Sequence, residues 1–271
     1  MKLRFLLLTV MTLQLLHADV RFFPRVIYVD ETDRSSTIYL QNPSEEAKKY
    51  KLYFGYTDQD EAGTFIPKEP NELGKNDRYG CEWLNVFPKR IELKAQEKQA
   101  IRISVKVPND VPEGEYYCRL YAKSQPKPKE LDTNRPDVKT VINTVMIIGA
   151  PIHVRKGHPK LTLDTRATVA SVSEKALTLD LAMTNTSKTG FRGDLLFEVP
   201  SKEEKPLLRD ETKVTLQGIK RAFQHTVDIS KLPSGKHTLQ LYLSDEDTTR
   251  KGFKLLDGEK LNIGEVVFEK P

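Results

Sequence analysis

Alternation with a period of two residues is what this chain repeats most insistently. In Ala100-Ile101-Arg102-Ile103-Ser104-Val105-Lys106-Val107, the odd positions are all apolar and the even positions are small or polar. Such a period turns one face of a strand to a core and the other to water. Shorter stretches behave alike at 37–40, 51–54, 83–87, 90–93 and 116–122. The second half repeats the style at 160–169, 176–183, 194–199, 213–216, 225–229, 237–243 and 261–268. Turn formers separate them: Asn42-Pro43-Ser44, Pro108-Asn109-Asp110, Thr186-Ser187, Ser234-Gly235 and Asp257-Gly258. The segments 57–80 and 124–137 read as polar connections, and 138–154 as a long β-branched run. No stretch carries three turns of helical periodicity. The expectation is an all-β protein.

Short strands with turn signals between them are the pattern of a β-sandwich. Gly157-His158-Pro159 reads as a hinge, which predicts two sandwiches in tandem over 19–156 and 157–271. One large sandwich or barrel is the competing architecture. In Pro112-Glu113-Gly114-Glu115-Tyr116-Tyr117-Cys118, a tyrosine stands two residues before a cysteine at a strand start, like the tyrosine corner of immunoglobulin-like sandwiches. Cys81 and Cys118 are the only cysteines. In an oxidising compartment they most simply form one disulfide, worth about 3–4 kcal/mol for a loop of this length; two free buried thiols are the other reading.

The first 18 residues read as a secretion signal: Lys2 and Arg4, an apolar run over 5–16, then Leu16-His17-Ala18. The run is too short for a permanent membrane span, and no later run is longer. Without Lys2 and Arg4 the formal charge of +5 falls to +3, spread among interspersed acids. That balance argues against a nucleic-acid partner. No nucleophile-and-base motif, phosphate loop or dinucleotide fingerprint occurs, so the chain reads as a non-enzyme without cofactor. His153 and His158 lack a third ligand at metal spacing, and Asp58, Asp60 and Glu61 lack the bidentate glutamate of a calcium loop, so no metal site is expected. Arg192-Gly193-Asp194 spells an integrin-type tripeptide and Asn185-Thr186-Ser187 a glycosylation sequon.

Several segments in order carry a resemblance. They are the signal, Pro24-Arg25-Val26-Ile27-Tyr28, Ser36-Thr37-Ile38-Tyr39-Leu40-Gln41-Asn42-Pro43, Phe87-Pro88-Lys89-Arg90-Ile91-Glu92-Leu93, Gln99-Ala100-Ile101-Arg102-Ile103, and the run 141–155. Over residues 20–155 the chain resembles the PapD-like family of periplasmic pilus (fimbrial) chaperones. The resemblance implies two immunoglobulin-like domains with a cleft between them. It implies a periplasmic location, a pilin-like or other secreted β-rich subunit as client, and an outer-membrane usher as a further partner. In the family, the last strand of the first domain adds to the open edge of the subunit, which is β-augmentation, and a basic pair grips the subunit's C-terminal carboxylate.

Carried onto this sequence, Arg25 falls on the family's first-strand arginine, suited to a bidentate grip on a carboxylate. Its alternative is a strand-end arginine facing solvent or pairing with Asp30 or Glu31. The donor run supplies Val141, Ile142, Val145, Met146, Ile147 and Ile148 as subunit-binding residues. Ile142, Thr144, Met146 and Ile148 share one face, and Val141, Asn143, Val145 and Ile147 the other. Either face could enter a subunit, and a strand buried on both faces would read the same way. The family lysine is absent from Ile148-Gly149-Ala150, so the second half of the basic pair is either missing or supplied elsewhere, with His153 and Arg155 as the candidates. The alternative function is a secreted or surface-displayed adhesive or structural module of two sandwiches.

Overall fold

The computed structural model describes residues 20–74, 78–125, 144–203, 205–245, 255–256 and 260–271. The first sandwich contains β1 (Arg21–Phe23), β2 (Ile27–Asp30), β3 (Ser35–Gln41), β4 (Lys48–Gln59), β5 (Phe65–Lys68), β6 (Leu84–Phe87), β7 (Arg90–Leu93), β8 (Lys98–Val105), β9 (Gly114–Gln125) and β10 (Ile147–Lys156). The second contains β11 (Leu163–Val172), β12 (Ala176–Asn185), β13 (Phe191–Val199), β14 (Leu208–Leu216), β15 (Lys220–Asp228), β16 (Gly235–Ser244) and β17 (Leu261–Lys270). No α-helix occurs among the described residues; the only helical turns there are single 3-10 turns at Pro70–Glu72 and Cys81–Trp83.

In the first sandwich one sheet runs β1-β3-β8-β6 and the other β2-β10-β9-β4-β5, with β7 also on β4. In the second, β11-β12-β15 faces β14-β13-β16-β17. Alternation builds both cores. Ile38, Leu40, Ile101, Ile103, Leu120 and Ile152 are fully buried in the first, and Leu177, Leu179, Leu195, Phe197, Leu239 and Leu241 in the second. Each such side chain contributes about 1.5–3 kcal/mol of burial. The all-β class and the paired sandwiches are as expected.

One element of the immunoglobulin-like frame, the tyrosine corner, and one staple outside that frame are visible directly. The Tyr116 hydroxyl donates to the Pro112 carbonyl at 2.7 Å, closing the tyrosine corner. Cys81 and Cys118 are bonded, tying the turn before β6 to β9. Elsewhere the elements are longer than the alternation suggests. The segment 57–80, expected as a loop, begins with the end of β4 and returns as β5. The Asp60 carbonyl and carboxylate accept from Gly63 and Thr64 to make that turn. Its polar alternation hid the hairpin, because Thr57 and Gln59 are buried polar residues. Trp83 closes a 3-10 turn rather than opening β6. Of the run 138–154, residues 138–143 lie outside the described residues, and β10 starts at Ile147.

The sandwiches meet at two joints. At the first, the Glu115 amide donates to the Lys188 carbonyl at 2.8 Å. At the second, Gln59 at the tip of β4 receives the Gln217 and Gly218 amides at 2.7 and 3.1 Å and donates to the Thr215 carbonyl at 3.0 Å. Arg78 adds a 2.9 Å bond to the Gln217 carbonyl. Gly218 allows this approach: a Cβ there would lie 2.7 Å from the Gln59 carbonyl oxygen, which is backbone and cannot swing away. We expect Gly218→Val to open this joint at a cost of about 1–3 kcal/mol. Small-angle scattering and limited proteolysis of the Gln59 turn read it out, and an unchanged scattering profile would contradict the assignment.

Candidate functional site: an open strand edge beside a cationic cleft

β10 is paired unevenly. On one side β9 accompanies it along its whole length, from Ile147 opposite Lys123 to Lys156 opposite Gly114. On the other side β2 pairs with it in parallel only from Ile152 to Arg155. Residues 147–151 therefore have no strand on their second side among the described residues. An edge of this kind presents unpaired backbone donors and acceptors to any added strand. Pro151, which lacks an N–H, ends the open part.

The placement of the donor-run residues favours one face. Ile148 packs partly against the first core, while Ile147 is 49 % exposed and Val145 is exposed as well. Val145 and Ile147 are thus turned away from the core, and Met146 is also exposed. Val141 and Ile142 lie outside the described residues. Gly149 gives the outward face its shape. A Cβ there would meet Arg119 Cδ at 2.7 Å and the Tyr121 ring at 2.8 Å, so both side chains lie across β10 at that point. Tyr121 stacks in turn on Tyr53, with ring centroids 5.3 Å apart.

Arg25 stands where the chain crosses from β1, in one sheet, to β2, in the other. That crossover carries it to the rim of the open edge. A cleft of about 550 Å³ is lined by Arg21, Phe22, Phe23, Arg25, Ile148, Gly149 and Ala150. Arg25 is exposed and forms no ion pair with the described residues. Asp30 is committed to the Thr32 and Asp33 amides, and Glu31 to the Gly157 amide. The cleft thus unites Arg25 and Arg21 with Ile148, Gly149 and Ala150 of β10.

His153 and Arg155 do not complete the basic pair. Both are buried at the foot of β10 and bound to the wholly buried Glu115. His153 Nδ1 pairs with Glu115 Oε1; Arg155 Nη2 lies 3.2 Å from Oε2, and the Thr189 hydroxyl of the second sandwich donates to Oε2 at 2.8 Å. Burial alone would raise the Glu115 carboxyl; the His153 and Arg155 charges and the Thr189 hydroxyl outweigh it and hold it at about 2. The cluster joins β10 to the second sandwich rather than facing a ligand. The second cation of the cleft is Arg21, which the sequence reading missed. Its signal was the alternation of β1, which buries Phe22 and turns Arg21 and Phe23 outward.

The other motifs resolve into structure. Asn185 is buried, donates to the Thr189 carbonyl at 2.6 Å and receives the Ser187 amide and hydroxyl, so the sequon is a turn and not a sugar acceptor. Arg192-Gly193-Asp194 lies within β13, with Asp194 bonded to Lys213 at 2.9 Å. Asp58 pairs with Lys68 at 3.1 Å. Among the described residues, no group of three His, Cys, Asp or Glu side chains could hold a metal, and no helix is long and apolar enough to cross a membrane.

No family model and no curated protein matches the chain. Solved structures do. One is described as the class 5 fimbriae chaperone CfaA, with 15 % identity over 93 % of this chain and 99 % of that one, at a TM-score of 0.46. A chain of the CsuC–CsuE chaperone–tip adhesion subunit pre-assembly complex from Acinetobacter baumannii matches at 13 % identity over 93 % and 98 %, also at 0.46. The E. coli chaperone DraB matches at 12 % identity over 83 % and 91 %, at 0.41. Each of these three structures is described as a chaperone or as a complex containing one.

Proposed function

We propose that this protein is a periplasmic chaperone that binds secreted, β-rich fimbrial subunits and holds them for assembly at the outer membrane. The observation that carries the reading is the conjunction of an open β10 edge over 147–151 with the Arg21–Arg25 cleft directly beside it. A subunit lacking a strand exposes its own unpaired edge, which aggregates if left uncovered. Pairing that edge with β10 satisfies both rows of backbone groups, and Val145 and Ile147 supply apolar side chains to the subunit groove. Arg25, with Arg21 in place of the family lysine, holds a terminal carboxylate by charge-assisted hydrogen bonds. An outer-membrane usher receives the complex in this reading, and the protein itself performs no covalent chemistry.

The test is affinity isolation of the mature protein from its native periplasm, with mass spectrometry of what comes with it. Recovery of a small β-rich secreted subunit is expected. Each charge-assisted bond is worth about 1.5–3 kcal/mol, so Arg25→Ala is expected to weaken capture by about tenfold to a hundredfold, and Arg21→Ala to add to that loss. A partner indifferent to both arginines would favour the surface-module reading instead.

A further inference from the structure

The outward face of the sheet β1-β3-β8-β6 is one-signed. Its outward side chains include Phe23, Tyr39 and Phe87 with Lys98 and Arg102, and it has no carboxylate among the described residues. Phe87 is 73 % exposed. Successive outward positions of β8 are Lys98, Ala100 and Arg102, spaced by about 6.6 Å along an extended strand. Ala100 forms a low floor between two taller rings. Tyr39 is its partner across β3, and Phe87 stands across β6 opposite Arg102. Lys98 Nζ lies 4.3 Å from the Tyr39 ring centroid and 5.6 Å from that of Phe23, which fixes the cation at one end of the notch.

The complementary pattern occurs in the same chain. β17 is the edge strand of its sheet, with Val266, Phe268 and Lys270 turned inward. Its outward positions are Glu265, Val267 and Glu269, all exposed, with Val267 at 50 %. Acid, apolar, acid on β17 has the same spacing as cation, floor, cation on β8.

We propose that a second copy of this chain docks here through unlike faces. Its β17 lies along β8, with Val267 seated over Ala100 between Tyr39 and Phe87, and with Glu265 and Glu269 at Lys98 and Arg102. Pairing two β8 faces with each other is opposed, because both are cationic. The charge complementarity lies along β17 itself, since Lys236 of β16 stands across from Glu269 on the same face. The contact lies on the β1-β3-β8-β6 sheet, whereas the open edge belongs to β10 of the other sheet.

The experiment is sedimentation velocity on the mature protein across a wide concentration range, with two charge-reversed variants: Lys98→Glu with Arg102→Glu, and Glu265→Lys with Glu269→Lys. The native chain is expected to gain mass with concentration, less so at high salt. Each variant is expected to weaken association by about tenfold or more, and combining all four reversals to restore it. All four positions are exposed; where a reversal fails to fold, Val267→Asp replaces it as a one-sided disruption. Three results would overturn the proposal: a single-chain mass at every concentration, association that survives both reversals, or failure of the fourfold variant to regain it.

Discussion

Glu115→Ala is expected to destabilise the protein by about 3–5 kcal/mol, because it removes a wholly buried anion that His153, Arg155 and Thr189 share. The carboxylate is wholly enclosed and holds three partners from two sandwiches, so no solvent replaces it. Chemical denaturation measures the loss. Replacing Arg155 by leucine in the same chain is expected to return part of it, since Glu115 and Arg155 share one buried ion pair; an additive double mutant would contradict that coupling. The cluster also predicts an acid limb. Glu115 is held at about 2, below its ordinary 4.5. A carboxyl lowered on folding contributes stability that is present in full above its unfolded value and is lost as pH falls through its folded value. About 3 kcal/mol should therefore disappear as pH drops from about 4.5 to about 2. Glu115→Gln should flatten that limb, and an unchanged acid profile in the variant would assign it to other groups.

Removing the disulfide is the second large effect. Cys81 and Cys118 are 37 residues apart, and opening a loop of that length frees about 4 kcal/mol of chain entropy in the unfolded state. Cys81→Ala with Cys118→Ala should lower the denaturation midpoint accordingly, and reduction of the native protein should reproduce the shift. The bond fixes β9 against the turn before β6, and β9 is the neighbour on which the whole of β10 rests. Weaker subunit capture in the reduced protein is the functional counterpart. Equal midpoints with and without the bond would mean that the unfolded chain is already constrained there.

The parts legible in the sequence were those whose alternation separates apolar from polar residues. β8 and β12 announce themselves because one face meets a core and the other meets water. The tyrosine corner and the disulfide were legible because local spacing and cysteine number suffice to suggest them. The β4–β5 hairpin was not, since Thr57 and Gln59 are buried yet polar, and Gln59 spends its side chain on the other sandwich. Of the two arginines that line the cleft, one was legible. Arg25 follows from the resemblance, but Arg21 enters the cleft only because the chain changes sheets between β1 and β2. His153 and Arg155 looked available because a sequence cannot show Glu115, about forty residues earlier, closing over them.

The central claim is that residues 147–151 of β10 receive a strand from the client. Hydrogen–deuterium exchange on the isolated complex, compared with the free protein, tests it most directly. Amides of residues 147–150 that face away from β9 should exchange fast in the free protein and slow markedly in the complex, together with nothing comparable on β17. Exchange at residues 147–150 that is already slow in the free protein, or unchanged by the client, would contradict the account.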